Sequence, residues 1–344
     1  MNATKHAIGP LRRLFAFRES GILLGLVVLS VLLALSTDTF LNRFNLATVA
    51  RQASFVGIVA FGQTIVLLTG GIDLSVGSMA GLCAILCTLL MTKLQIPAEA
   101  AIVLGVGIGL VLGAFNGILV AKARINPFIV TLAMGEIFAG AILVITEGYP
   151  VLGLPKSFRY IGQGAIGSVP VPVLFMLVGA AILSYLLMNT PFGRGIYAIG
   201  GNRNASRLVG IRVDRSIVAV YAMSGMLASF AGILYASRIN AGQATIGASW
   251  VMPCITAAII GGTSMSGGEG SIAGTILGAL FMGVLANGIV LMGVSSYWER
   301  IIIGVVVILA MIIDVLRDPL HPLRGMLAGL FPGSAGTKGG TPSP

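Results

Sequence analysis

The 344-residue chain has little charge: Asp, Glu, Lys and Arg make up 9% of it, against 56% hydrophobic residues. A soluble globular domain carries roughly 25% charged residues. So few charges cannot cover a soluble protein of this length, and lipid is the solvent that removes the difficulty. Acidic residues are scarcest, 11 against 21 Lys and Arg, leaving a net charge of +10. The basic residues sit in short segments between apolar runs, so they read as topology signals, not as a nucleic-acid surface. Cysteine is limited to Cys83, Cys87 and Cys254. The number is odd and all three lie inside apolar runs, which argues against a disulfide framework. Cys83 and Cys87 share a helix face, but no His or acid beside them completes a metal site. The two histidines, His6 and His321, lie outside the apolar runs with no paired nucleophile. No catalytic constellation is visible. The Gly-x-x-x-x-Gly-Lys-Ser/Thr phosphate loop is missing too, so the chain has no P-loop site for ATP.

What is present is a series of apolar runs, at about 20–36, 52–69, 76–91, 98–121, 127–146, 171–189, 216–237, 249–262, 271–292 and 298–316. A membrane helix needs about 20 mainly apolar residues. The expected fold is therefore all-α, a polytopic transmembrane helical bundle of about ten spans. Two short joins, Gly70–Ser75 and Thr263–Gly270, read as broken or re-entrant segments, which leaves eight to eleven spans open. The run Gly21–Leu35 has no small-residue cleavage site before Asp38, so it reads as an uncleaved first helix. With the N-terminus inside and the spans alternating, Lys5, Arg12, Arg13, Arg18, Lys122, Arg124, Arg194, Arg203, Arg207, Arg212, Arg215, Arg317, Arg324 and Lys338 fall inside. Only Arg43, Arg51, Lys93, Lys156, Arg159, Arg238 and Arg300 fall outside. That bias points to an N-in, C-in topology. The organisation expected is a cytoplasmic segment at 1–19, a membrane domain at 20–316 with a cytoplasmic loop at 190–215, and a cytoplasmic tail at 317–344. The last stretch, Gly333–Pro344, is low-complexity and reads as disordered.

The loop from Thr190 to Arg212 is unusually specific. Asn202 or Asn204 can cap a short helix whose turn ends at Gly210. Ala205, Leu208 and Val209 give that helix a small apolar face, flanked by Arg203 and Arg207. Such a helix suits docking into a groove on a soluble partner. A basic retention loop is the competing reading, and the five arginines of 190–215 alone would satisfy it. The capped helix and the Gly200-Gly201 pair favour docking.

Polar residues inside the spans are few. Glu136 lies near the middle of a run, Asp73 and Glu269 at the two breaks. An intramembrane acid is a functional candidate by default, so Glu136 is either a substrate or proton site or a hydrogen-bond anchor between helices. Asp73 reads as capping the helix that starts near Ser75. Backbone broken at membrane depth must line a cavity or be buried in protein, which makes the breaks, with Ser75 and Ser264, candidates for a pathway wall or gate. Gly105, Gly109, Gly113 and Gly117 recur every four residues, as do Gly270, Gly274 and Gly278. Stripes like these allow close helix packing. Asn116 and Asn287 lie on the same helices and either bond across them or reach a solute. Trp250 and Trp298 fall near outer ends and fit interfacial anchors. The segment Gly70–Gly77 is similar to Gly261–Gly268, a faint parallel repeat against which chance likeness of glycine-rich turns competes.

The loop pattern Gly193-Arg194…Ala198-Ile199-Gly200-Gly201-Asn202…Ala205…Leu208-Val209-Gly210-Ile211 resembles the permease family of monosaccharide ABC importers, the ribose, xylose, arabinose and galactose type. Gly70-Gly71-Ile72-Asp73-Leu74-Ser75-Val76-Gly77-Ser78, Pro127–Leu132, Gly261–Ser264 with Gly270–Thr275, Asn287-Gly288 and Gly304…Ala310…Asp314 add to the resemblance, which covers roughly 39–314. Ala133-Met134-Gly135-Glu136 departs from it, since many relatives have Gly-Thr-Met and a less acidic stretch there. The resemblance implies a permease of the bacterial inner membrane, dimeric with a second permease copy. It also implies a cytoplasmic ATPase that binds the ATP and Mg and a periplasmic sugar-binding protein that delivers a ribose-like sugar. The coupling helix would be Asn202–Ile211, with Gly200, Gly201, Asn202, Ala205, Leu208, Gly210 and Ile211 meeting the ATPase. A proton-coupled secondary transporter using Glu136 is the alternative.

Overall fold

A computed structural model describes residues 20–317. The expected cytoplasmic N-terminal segment and nearly all of the tail lie outside the described residues. Within them the chain is almost wholly helical. The helices are α1 (Ser20–Ser36), α2 (Arg43–Leu68), α3 (Val76–Thr92), α4 (Ala98–Ala121), α5 (Pro127–Thr146), α6 (Lys156–Gln163), α7 (Val171–Asn189), α8 (Pro191–Gly201), α9 (Arg203–Leu208), α10 (Val213–Ile239), α11 (Val251–Ile260), α12 (Ile272–Leu291) and α13 (Ser296–Arg317). One two-stranded hairpin, β1 (Ala165–Ile166) with β2 (Val169–Pro170), lies between α6 and α7.

Each of the ten apolar runs contains a helix. Length separates them. Six helices among the described residues, α2, α4, α5, α7, α10 and α12, are long and apolar enough to cross a membrane. Of the other four apolar helices, α1, α3 and α11 are shorter, and α13 is counted only over the stretch 300–309. At 1.5 Å per residue α11, with 10 residues, spans only about 15 Å, half of a bilayer's hydrocarbon core. The sequence reading treated that region as one ordinary span at 249–262. Instead the chain folds back before it. Residues 240–250 run inward until Gly247 meets Gly77 at the start of α3, so closely that a Cβ on either would overlap the other's carbonyl.

α2 and α10 form the centre. Within their most apolar windows 89% and 72% of residues are buried, against 28% for α4. The glycine stripes build the contacts. Gly109, Gly113 and Gly117 of α4 lie directly against Ser229, Gly225, Tyr221 and Val218 of α10. Gly274 and Gly278 of α12 lie against Gly261 and Ala257 at and beside the end of α11. No hydrophobic force drives helices together in lipid, so dispersion and hydrogen bonds between closely packed backbones must do it. Cys83, Cys87 and Cys254 are free thiols, all buried.

Helix ends follow local chemistry. Asn126 takes the Phe128 amide at the start of α5, with Pro127 at its first position. Thr190 accepts from Gly193 at α8, and Ser271 from Gly274 at α12. The segment between α5 and α7 carries α6 and the hairpin. It is tied to the end of α10: the Ser237 hydroxyl donates to the Phe158 carbonyl at 2.5 Å and accepts the Gly162 amide at 2.9 Å.

Candidate functional site

α8 and α9 form a polar elbow at one end of the bundle. Asn202 ends α8 and caps α9, its side chain accepting the Ala205 amide at 2.9 Å. Of the two expected capping residues, Asn202 is therefore the one used. Gly210 adopts φ +86°, the left-handed turn that stops α9. Leu208 and Val209 are 89% and 76% exposed, an apolar tip that no other described residue covers. Gly201, Asn202 and Ala205 are exposed beside them, whereas Ile211 is half-buried and packs towards Gly195. Arg207 pairs with Asp214 of α10 at 2.8 Å, both side chains remaining exposed.

Gly200 differs from Gly201. A Cβ on Gly201 would meet nothing within 4 Å, but one on Gly200 would overlap the Leu68 carbonyl oxygen and the Gly268 amide. A Cβ on Gly267 would lie 2.8 Å from the Gly70 nitrogen and 3.0 Å from the Gly200 Cα. The Gly268 amide donates to the Leu68 carbonyl at 2.9 Å, and the Tyr197 hydroxyl of α8 donates to the Gly270 carbonyl at 2.9 Å. Thus α8, the end of α2 and the loop before α12 converge on bare backbone. Ser264 lies in that loop, half-buried, its amide donating to the Glu269 carbonyl and its hydroxyl accepting the Ser266 amide.

The other break is built differently. Asp73 is fully buried. One carboxylate oxygen accepts the Ser75 amide at 3.0 Å and the Ser75 hydroxyl at 2.6 Å, and the other accepts the Ser224 hydroxyl at 3.0 Å. The Asn116 side-chain amide donates to the Ser75 hydroxyl oxygen at 2.9 Å. The Tyr221 hydroxyl donates to the Ile72 carbonyl at 3.0 Å. Asp73, Ser75 and Asn116 are therefore brought into one network, which fixes the start of α3 to α4 and α10. Asn287 is not part of it. It exchanges two hydrogen bonds with Asn45, at 3.0 and 2.8 Å, pinning the end of α12 to the start of α2. Glu136 is exposed on the outward face of α5 and joins neither group.

A cavity of about 1030 Å³ opens between α2, α10, α11, α12 and α13. α2 ends, and α10 begins, at the α8–α9 elbow. The cavity is lined from the other ends, by Gln52 of α2, Arg238 of α10 and Arg300 of α13, so it lies on the face away from the elbow. The Phe55 and Trp250 rings are parallel, 7° apart in plane with centroids at 6.4 Å, and Tyr235 packs edge-on to both. The Arg238 guanidinium sits 5.8 Å from the Phe55 ring centre and 5.9 Å from that of Tyr235. Trp250 is thus a cavity wall; its expected role as an interfacial anchor assumed a straight helix from 249 onward. Sequence reasoning passed over Gln52, Phe55, Tyr235, Arg238 and Trp250 as a group, since the fold-back of 240–250 brings them together. The aromatic residues on one side of two separate apolar runs were the only trace.

A helical membrane bundle, a protruding apolar elbow wired to it by backbone contacts, and a solute-sized cavity on the opposite face describe a transport permease. The comparisons with known proteins agree. A family model described as the permease component of a branched-chain amino acid transport system matches residues 45–311. The chain is 42% identical over 299 residues to the ribose import permease protein of Bacillus subtilis (strain 168), covering 86% of this chain and 92% of that protein. It is 39% identical over 300 residues to the ribose import permease protein of Escherichia coli (strain K12), covering 86% and 93%. It is 35% identical over 290 residues to the D-allose transport system permease protein of the same strain, covering 84% and 89%. No solved structure matches. The chain belongs to this permease family of ABC importers. It is an inner-membrane transport subunit and not an enzyme, working with a partner ATPase and a binding protein. The proton-coupled alternative has no support from these relatives.

Proposed function

We propose that this permease forms the transmembrane route for a ribose-like monosaccharide and that α8 and α9 receive the stroke of the ATPase. One observation carries the coupling part: the elbow is in backbone contact with the end of α2 and with the α11–α12 loop through Gly200, Gly267 and Gly268. Push on the exposed tip and those segments must move, since no side chain lies between to absorb the displacement. ATP and Mg reside on the partner chain. The sugar arrives from a periplasmic binding protein on the cavity side.

The substrate class rests on the relatives' sugars and on the cavity's chemistry. The family description names amino acids, yet the described lining contains no Asp or Glu. A zwitterion's ammonium would find no counter-charge there, and an unpaired buried charge is costly. Hydroxyls need none.

The topology that fits this reading has ten crossings, N-in and C-in, with the other four apolar helices completing the six long ones. α3 and α11 then run from mid-depth, out and in respectively. A second permease copy covers the outward face of α5. Glu136, Ala133 and Gly140 lie exposed there, and a carboxylate facing lipid is expensive.

Leu208→Asp tests the coupling assignment without touching the fold, because Leu208 is 89% exposed. Losing a buried apolar anchor from an interface costs at least about 2 kcal/mol, roughly thirty-fold in Kd. The expected result is a monodisperse permease that no longer retains the ATPase on co-purification and no longer accumulates D-ribose in proteoliposomes. Full ATPase retention and full uptake would falsify the assignment.

A further inference from the structure

Beneath the cavity, on the same face of α2, lies a polar group that packing does not explain. Gln63 follows Gln52 by eleven residues, three helical turns or about 16 Å along the axis. It is fully buried, and neither its amide oxygen nor its amide nitrogen has a hydrogen-bond partner among the described residues. A buried amide left unpaired is destabilising, and an apolar side chain of similar size would remove the cost. Val56 and Leu67 flank Gln63 on this face. Both touch α11: the Cys254 thiol donates to the Val56 carbonyl at 3.4 Å, and Leu67 clusters with Ile255 and Ile259. The short helix α11 therefore lies along the stripe that joins the cavity to Gln63, and its far end is the glycine loop that contacts α8.

Building on the monosaccharide reading, we propose that the sugar is held in this cavity against the half-buried Trp250, which the buried Phe55 backs, and passes next to Gln63 when α11 shifts. The chemistry matches a neutral monosaccharide. Its C–H face packs on an aromatic surface, and each hydroxyl both donates and accepts. An amide offers one acceptor and two donors and so serves a hydroxyl in either sense, and the Arg238 guanidinium supplies donors only. Gln52 meets the sugar at the mouth, and Gln63 completes its hydrogen bonds with the sugar in transit. Movement of α11, driven from α8, switches between the two positions.

The test uses the whole transporter, permease with its ATPase and binding protein, in proteoliposomes. Gln52→Cys is labelled with a small methanethiosulfonate reagent, with and without saturating D-ribose, the binding protein being present in both arms. Tyr149→Cys, at an outer-loop site 74% exposed, is the reference. Slowing of labelling several-fold by D-ribose at Gln52→Cys and not at Tyr149→Cys is the expected result. Equal rates at Gln52→Cys with and without sugar, in a transporter that accumulates D-ribose, overturn the cavity assignment. For Gln63→Leu the expectation is uptake lower by about ten-fold, one lost hydrogen bond to the sugar in transit, with a Tm at or above that of the unaltered permease. Unchanged uptake overturns the role of Gln63, and so does lost uptake accompanied by a lower Tm, which assigns the residue to packing. Failure of the unaltered transporter to accumulate any monosaccharide is a separate outcome and removes the substrate reading itself.

Discussion

Between α2 and α3 the broken backbone converges on a buried carboxylate; between α11 and α12 it is closed by main-chain contacts, to which the Tyr197 hydroxyl adds a bond to the Gly270 carbonyl. At the first break three hydrogen bonds converge on the Asp73 carboxylate, from the Ser75 amide and hydroxyl and from the Ser224 hydroxyl. Tyr221 secures the Ile72 carbonyl beside it. At the second, Ser264 closes the turn on Glu269 through main-chain atoms, and Gly268 donates to Leu68. The two segments read alike in sequence, Gly70-Gly71 against Gly261-Gly262 followed by polar residues. The difference lies in the acid. A buried carboxylate surrounded by donors immobilises its surroundings, because moving it exposes several unpaired groups at once. The acid of the glycine loop, Glu269, is exposed where Asp73 is buried. The first break is suited to hold still while the second moves with α8.

That contrast can be broken most forcefully at Asp73. Asp73→Ala leaves two buried hydroxyls and an amide without their acceptor, and each buried donor left unpaired costs roughly 1–3 kcal/mol. Fluorescence-detected size exclusion should show little monodisperse protein, whereas Asp73→Asn, keeping one acceptor, should retain more. Equal yields for Asp73→Ala and the unaltered chain would remove the anchor from the comparison. Next in size is Gly200→Leu. The added side chain has no room against Leu68 and Gly268, and overpacking costs about 1–3 kcal/mol. The permease should fold with a lowered Tm and retain ATPase binding while uptake is lost, the reverse of the Leu208→Asp pattern. Tyr197→Phe removes only the hydroxyl bonded to the Gly270 carbonyl. It should lower Tm by the equivalent of about 1 kcal/mol and reduce uptake per ATP hydrolysed more than it reduces ATPase binding. Arg207→Ala should do least. Its partner Asp214 is exposed, 47% by side-chain area, and surface pairs contribute about 0–1 kcal/mol. A large effect there would mean that the pair fixes the angle of α9 for its partner.

Much of the fold was legible because lipid imposes long apolar stretches and the chain interrupts them with charge. Helix positions followed, as did the packing of the Gly105–Gly117 stripe. The start of α3 was legible from Asp73 standing two residues before Ser75, a spacing that lets a carboxylate reach the backbone it precedes. The α8–α9 elbow was legible from Asn202 and Gly210, which have local meaning. What was not legible depends on which segments fold back. Nothing in the residues around Trp250 announces that 240–250 turns inward to meet Gly77, so a cavity wall read as a membrane anchor. Gln63 escaped for a related reason. A single amide inside an apolar run looks incidental until the helix is known to be buried on every side.

The boundary between Gly201 and Asn202 divides the elbow into a part that can be exchanged and a part that cannot. Residues 202–209 are exposed apart from buried Ser206, and Arg207 pairs with Asp214, whereas Gly200 is moulded to Leu68 and Gly268 and the Gly201 backbone lies beside Gly268. On the proposed coupling, a tip grafted from a permease with a different ATPase would redirect this one to that foreign motor, provided the splice falls after Gly201. Partner identity and force transmission would then occupy adjacent residues yet be open to independent rewriting.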